Sequence, residues 1–322
     1  MESLIVMEPR VNIKTDTELN HVVLVGGQRV TEQNVPADSY SQSSANWSVY
    51  PPSSTTIVDR FVKGKFFIEV KSDVDFVLGS KEGLRQFPIA SVTDVLNVQI
   101  NGENISENVA DIAHPMLCYG NTPEERTRSW STTAAQPDQY QKYSDWNTQG
   151  SARNVFANYG ENSGEMSRGS LTPTVVDSKT LRYEIVEPLL ISPFFQGIGP
   201  QQEGFVNVNQ LQITYRFKSD LTRMWATDGT TGTAYTVTFY KAPELQVVYI
   251  TPDILQQIPS LQVLPYYKHN VYKKDVALLT TGASSTIFSD SIKLNQVPRR
   301  MYLYVKRDDA TESAYTSDSF LG

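Results

Sequence analysis

Side chains able to do chemistry are sparse in these 322 residues. Three histidines, His21, His114 and His269, stand far apart, with no H-x-x-x-H pair and no cysteine partner of the kind that holds zinc. Each reads as an ordinary histidine. Cys118 is the single cysteine and can form no internal disulfide. It reads as a small buried hydrophobe; the alternative, a reactive thiol, needs an adjacent base that the sequence does not supply. A nucleophile elbow is absent, as are the phosphate-cradling glycine patterns, because Gly197-Ile198-Gly199 lacks a third glycine and a following helix. Carboxylates remain. Asp73 and Asp75 alternate onto one strand face, and Asp308, Asp309 and Glu312 cluster further on. A glycosidase needs two carboxyls about 5–9 Å apart across a cleft, and calcium takes loop oxygens. Among 35 acidic residues such groupings arise by chance, and solvated turns are the plainer reading. No catalytic, cofactor-binding or metal-binding residue is assigned. That emptiness favours a structural or binding protein over an enzyme.

The elements that must carry any site are strands. In Leu211–Lys218 every odd position is apolar or aromatic and every even one polar, which puts Leu211, Ile213, Tyr215 and Phe217 on one buried face. Lys65–Val70 does nearly the same, with Phe66, Ile68 and Val70 inward. Tyr235–Phe239 and Leu245–Ile250 read as two strands, with Pro243 breaking the ladder between them. Val95–Ile100 runs into Asn101-Gly102, a type I′ hairpin signal. Further strands are expected at Ser291–Leu294 and Met301–Val305. Helices are scarce: Pro88 permits only a short one to begin there, and Asp253–Gln257 has room for one turn. Nothing alternates as βαβ, so the fold class is all-β, in antiparallel sandwiches.

Three stretches interrupt the strands. Residues 1–45 read as an N-terminal arm. Residues 119–173 form a long polar segment dotted with Trp130, Tyr140, Tyr143, Trp146, Phe156 and Tyr159. A connection that long in a compact domain is functional, disordered or self-packed, and its aromatics favour packing or a partner surface over disorder. Leu189–Gly204 is broken by prolines and glycines. Net charge is −7, from 28 basic and 35 acidic residues, which disfavours a surface that binds nucleic acid through clustered Lys and Arg. Lys63/Lys65 and Arg299-Arg300 are the basic notes; the arginine pair reads as a solvated strand entry, or else as an inter-subunit ion pair. No secretory or membrane-spanning segment is read, so the sequons at Asn46 and Asn104 are taken as chance matches.

Several strings, in order, carry a resemblance. Asn46-Trp47-Ser48-Val49-Tyr50-Pro51-Pro52 continues through Ile57-Val58-Asp59-Arg60 into a strand. Gly83-Leu84-Arg85-Gln86-Phe87-Pro88-Ile89-Ala90 and Glu187-Pro188-Leu189-Leu190-Ile191-Ser192-Pro193-Phe194 follow, then Asn207–Trp225, then Ser291–Val305 with Val297-Pro298-Arg299-Arg300 at its middle. Together these resemble the major capsid proteins of the double jelly-roll viruses, the adenovirus and tectivirus lineage, closest to polinton- or adintovirus-like and related small DNA virus forms.

The resemblance implies an all-β jelly-roll β-sandwich, eight antiparallel strands in two sheets, with no cofactor. It implies a structural capsid protein of the virion. Copies would self-assemble as pseudo-hexagonal homotrimers into an icosahedral shell and meet other capsid proteins such as a penton. It also makes 119–173 a tower loop, in which Trp130, Tyr140, Tyr143, Trp146 and Tyr159 would be contact residues. Strand counting gives one complete jelly roll over 46–257 and only the opening strands of a second over 258–322, as if the chain stopped between strands. Two other classes stay open from the residues alone. A carbohydrate-binding sandwich would stack sugars on Trp130, Trp146 and Tyr159, and a β-sandwich hydrolase would use a carboxylate pair.

Overall fold

The structure, a computed structural model, describes residues 12–14, 19–21, 30–76, 82–84, 87–115, 173–195, 204–227 and 233–251, with parts of 262–305 and residue 314. Its strands are β1 (Asn12–Lys14), β2 (Leu19–His21), β3 (Val30–Pro36), β4 (Ser39–Tyr40), β5 (Ser44–Val49), β6 (Ile57–Val58), β7 (Lys63–Ser72) and β8 (Glu82–Leu84). There follow β9 (Thr93–Ile100), β10 (Glu103–Glu107), β11 (Thr174–Asp177), β12 (Thr180–Pro188), β13 (Leu211–Phe217), β14 (Trp225–Thr227) and β15 (Tyr235–Ile250). Two antiparallel sheets dominate. One runs β11-β12-β7-β15-β3, with β6 also paired to β15; the other runs β10-β9-β13-β5-β4. Along the chain, the long strands β3, β5, β7, β9, β10, β12, β13 and β15 enter the six- and five-stranded sheets in the sequence six, five, six, five, five, six, five, six. Eight strands shared between two sheets in this way make a complete jelly roll.

The period-2 pattern sets what each sheet buries. Phe66, Ile68 and Val70 of β7, with Leu181 and Ile185 of β12 and Leu245 and Val247 of β15, point into the sandwich and are fully buried. From the facing sheet come Trp47 of β5, Leu96 and Val98 of β9, and Leu211, Ile213 and Tyr215 of β13. Phe66 is the hub. Its ring meets Tyr215, Phe217 and Trp47 edge-on, with centroids 5.3, 6.1 and 6.3 Å apart. Edge-to-face pairs of this kind add to the area they bury. The close fit explains Gly64, since a Cβ there would stand 2.6 Å from the Phe66 ring.

Turn chemistry closes the β9–β10 hairpin as its sequence predicts. Asn101 (φ 49°) and Gly102 (φ 94°) both take positive φ, and Ile100 faces Glu103 across the turn. Helix α1 (Pro88–Val92) begins on Pro88, and α2 (Val109–Pro115) follows β10. Five residues cannot sustain a helix alone. Instead the amides of Ile89 and Ala90 donate to the two carboxylate oxygens of Glu187, both at 2.9 Å. Glu187 continues the inward-facing series Leu181, Tyr183, Ile185 and is fully buried, which pushes its pKa up to about 8 against the pull of those two amides.

Four expectations change. Residues 30–45, assigned by the sequence to the arm, belong to the sandwich: β3 pairs β15 from Glu244↔Pro36 to Ile250↔Val30, and β4 pairs β5. Pro243 does not end a strand. β15 runs straight through it, because the ladder shifts register between Phe239 and Glu244, and a bulge asks no N–H of the proline. Leu189–Phe195, read as an interruption, is buried core; its one proline, Pro193, carries no N–H to satisfy, and Leu189, Leu190, Ile191, Phe194 and Phe195 pack inward. Residues 291–294 and 301–304 lie in no strand ladder among the described residues.

Candidate interaction surface

Among the described residues, the carboxylate candidates form no catalytic pair. Asp73 and Asp75 are turn formers: one carboxylate accepts the Ala234 amide at 3.1 Å, the other the Ser178 hydroxyl at 2.8 Å. Asp308, Asp309, Glu312, Cys118 and Arg299 lie outside the described residues, as do the tower candidates Trp130, Tyr140, Tyr143, Trp146 and Tyr159. Among the described residues, no group of three or more His, Cys, Asp or Glu could hold a metal ion. What the described residues offer is surfaces, and three differ in kind.

The outer face of the six-stranded sheet is a closed lattice of charge and ring. Lys65 pairs with Glu184 at 2.7 Å, Lys71 and Arg182 each reach Glu69 at 2.8 Å, and Lys241 pairs with Glu244 at 2.9 Å. Phe67 points outward here yet is buried. Lys241 stands 4.1 Å from its ring centroid and Lys65 5.3 Å, while Arg182 sits 4.6 Å over Tyr240. The cationic heads thus lie over the aromatic rings while they reach carboxylates beside them. Lys71 above all, then Arg182, hold the Glu69 carboxyl below the usual range.

The outer face of the five-stranded sheet is its opposite. Strand pairing lines up Ser48, Gln212, Gln99 and Asn104 in one row across four strands. The next row holds Asn46, Thr214, Asn97 and Ser106. Neither row carries a charge; Arg216 and Asp94 come only at one end. Ser48, Gln212, Thr214, Asn97, Asn104 and Ser106 make no side-chain hydrogen bond to any described residue, whereas Asn46 donates to Ser39 and Gln99 to the Gly102 carbonyl.

The third surface is built by the chain beyond β15. Gln262 bridges the loop before β13, donating to the Gly204 carbonyl and accepting from the Val206 amide. The Tyr267 amide donates to the buried Ser192 hydroxyl at 2.9 Å. Two buried acids of the sandwich, Glu107 and Asp111, then receive the segment. The His269 amide donates to Glu107 at 3.1 Å with the imidazole Nδ1 at 3.4 Å, Lys273 pairs with Asp111 at 2.7 Å, and the Tyr304 hydroxyl donates to the Asp111 carbonyl at 2.7 Å. Sequence reading left His269 as an ordinary histidine and did not single out either acid. While Tyr302 and Tyr304 turn toward the sandwich, Val297, Met301 and Leu303 are 93, 84 and 88 % exposed. Met301, Leu303 and Val305, all exposed, alternate with the half-buried Tyr302 and Tyr304, which is the period of an extended chain.

Comparison with known proteins gives these surfaces a context. A family model described as "Sputnik virophage major capsid protein 1st domain" matches residues 1–180, and one described as "Major capsid protein V20 C-terminal domain" matches residues 267–322. The putative capsid protein V20 of Sputnik virophage is 30% identical over 332 residues, covering 94% of this chain and 54% of the relative. The chain therefore spans about half the length of the curated relative it matches. The cryo-EM structure of the Sputnik virophage superimposes with a TM-score of 0.61 at 27% identity, over 80% of this chain and 54% of that one. The crystal structure of the mavirus major capsid protein shares the fold, with a TM-score of 0.51 at 16% identity over 76% of this chain and 51% of the other. With its first 180 residues matched by that first-domain model, more than half its length, the chain belongs to the Sputnik virophage major capsid protein family.

Proposed function

We propose that this chain is part of a major capsid protein that self-assembles, as pseudo-hexagonal trimers, into an icosahedral viral shell. The observation that carries the reading is a complete eight-strand jelly roll in a chain of this family. Its role is then structural rather than catalytic, its place is the virion, and a penton protein is the natural neighbour where the shell closes at its vertices. Residues 119–173, inserted between α2 and β11, form the tower, with Trp130, Tyr140, Tyr143, Trp146 and Tyr159 as its contact residues. Residues 258–322 supply the opening strands of a second jelly roll. Two things support this last point: the match of 267–322 to a C-terminal capsid domain, and the exposed apolar series Met301, Leu303 and Val305.

Density-purified particles from the source, analysed by mass spectrometry, test the reading. Peptides of this chain are expected to dominate the shell. Particles that contain none of them would overturn it. Amide exchange in intact particles tests the second jelly roll: residues 291–305 should exchange slowly, as a hydrogen-bonded ladder does, and fast exchange there removes it.

A further inference from the structure

We propose that Asn101-Gly102 is a self-modifying site: Asn101 deamidates when the loop before β13 lifts away, and its product cannot fasten that loop again.

This is the one Asn-Gly step in the chain. With no side chain on Gly102 to shield it, the Gly102 nitrogen can approach and attack the Asn101 Cγ. Both residues are exposed at the tip of the β9–β10 hairpin, and a Cβ on Gly102 would meet nothing within 4 Å. The Gly102 amide donates to no described residue. Attack forms an N–Cγ bond and breaks Cγ–Nδ2, and ammonia leaves with the proton of the Gly102 nitrogen. Water then opens the five-membered ring. Opening at Cγ gives aspartate, opening at the main-chain carbonyl gives isoaspartate, and nothing is oxidised or reduced.

The fold holds this reaction back. Although Asn101 is exposed, its side chain is fastened at three points to one loop. Nδ2 donates to the Asn207 carbonyl at 2.7 Å, and Oδ1 accepts the Asn209 and Gln210 amides at 2.7 and 3.2 Å. Attack makes the planar Cγ tetrahedral and expels Nδ2, so an amide pinned at both ends reacts only when released. The same pins serve the structure. They fix where the chain enters β13, beside the bond from the Asn101 amide to the Gln210 carbonyl at 3.0 Å and the pairing of Leu211 with Ile100.

Neither product restores them. Aspartate has no donor for the Asn207 carbonyl and sets a carboxylate oxygen against it. Isoaspartate adds a methylene to the main chain, inside a two-residue turn that places Ile100 opposite Glu103. Because the ammonia is lost, the change runs one way.

The test compares the folded protein with the same chain unfolded in urea, at one pH and temperature. Peptide mass mapping follows aspartate and isoaspartate at residue 101, and amide exchange of Asn209 and Gln210 gives the fraction of time the pins are open. Conversion in the folded protein is expected, slower than in urea by roughly tenfold or more, because each hydrogen bond to be parted contributes up to about a factor of ten. The slowing should match the open fraction, as it does for any reaction that follows local opening. Asn209→Pro removes one donated amide; it should speed conversion several-fold in the folded protein and leave the rate in urea unchanged. Converted protein, separated from unconverted, should exchange the Asn209 and Gln210 amides faster.

Equal rates in the two states overturn the proposal. So does a folded protein that never converts while the unfolded chain does, or a folded rate unrelated to the open fraction. Unchanged exchange in the converted protein overturns the loss of fastening. If Asn209→Pro lowers the thermal stability, the match between conversion and exchange in the wild type decides alone. The capsid reading stands or falls separately, since this chemistry needs no assembly.

Discussion

The sandwich and the segment after β15 hold their shape by different means. Inside the sandwich, Phe66, Trp47, Tyr215 and Phe239 close an apolar core with side chains from both sheets, and each backbone finds its partner in a ladder. Residues 262–305 have no such core among the described residues. They are fixed at separate points by Gln262, Tyr267, His269, Lys273 and Tyr304, and they turn apolar side chains outward. The contrast separates two jobs that packing does at once in most domains. Burial supplies the stability of the first region, while directed polar contacts supply only the orientation of the second.

The contrast breaks most sharply if the core is not where stability resides. Phe66→Ala empties the contact of four rings and should cost about 3–5 kcal/mol, the range for truncating a fully buried phenylalanine. Urea unfolding followed by tryptophan fluorescence measures it; a loss under ~1 kcal/mol would mean the rings are loosely packed. Gly64→Ala follows. Its new methyl must displace the Phe66 ring by several tenths of an ångström within a filled core, and overpacking of this sort costs about 1–3 kcal/mol.

The buried Glu187 gives the interior a pH dependence that the exterior opposes. Its native pKa, about 8, lies above the ordinary 4.5 of a glutamate, so the folded state binds a proton that the unfolded state has released. Its stabilising contribution is full below 4.5 and is lost as pH rises toward about 8, at no more than ~1.4 kcal/mol per pH unit. The phenol of Tyr215, itself pushed upward by burial and then by Glu187, is the titratable group facing it; Lys65 lies on the other face, paired with Glu184. Glu187→Gln should flatten that slope in melting curves taken between pH 5 and 8, while remaining less stable than wild type at pH 5 through loss of one acceptor. Glu69 has the reverse sign. Its pKa is lowered, so what it contributes is lost as pH falls through its folded value.

Much of this was legible in the sequence where a pattern is local. The alternation in Leu211–Phe217 and Lys65–Val70 named the inward residues, and Asn101-Gly102 named the hairpin, because both depend on neighbours one or two positions away. Strand β3 was missed for the opposite reason. Val30–Pro36 is an edge strand exposed along almost its whole length, so it carries no apolar stripe to read. Glu187 could have been found by carrying the odd-position count of β12 one step past Ile185. The neutral rows were half visible: Gln212 and Thr214 stood out as the polar positions of β13, but their row-mates come from β5, β9 and β10. Those join only through a long-range register that no local pattern encodes.

The smallest effect sharpens the comparison most. Asp111→Asn weakens the partner of Lys273 while leaving its backbone carbonyl for Tyr304. Lys273 is half exposed, so water and salt screen the pair, and the loss in global stability should be about 0–1 kcal/mol. Glu107→Gln, at the other anchor, keeps an acceptor for the His269 amide and should cost no more. If polar contacts orient the segment, the pair of substitutions together should leave the melting temperature of the sandwich nearly unchanged. Limited proteolysis within 262–305 should nevertheless speed up several-fold, since cleavage follows local opening rather than global unfolding. A large drop in melting temperature, with no change in cleavage, would show that the two regions share one cooperative core after all.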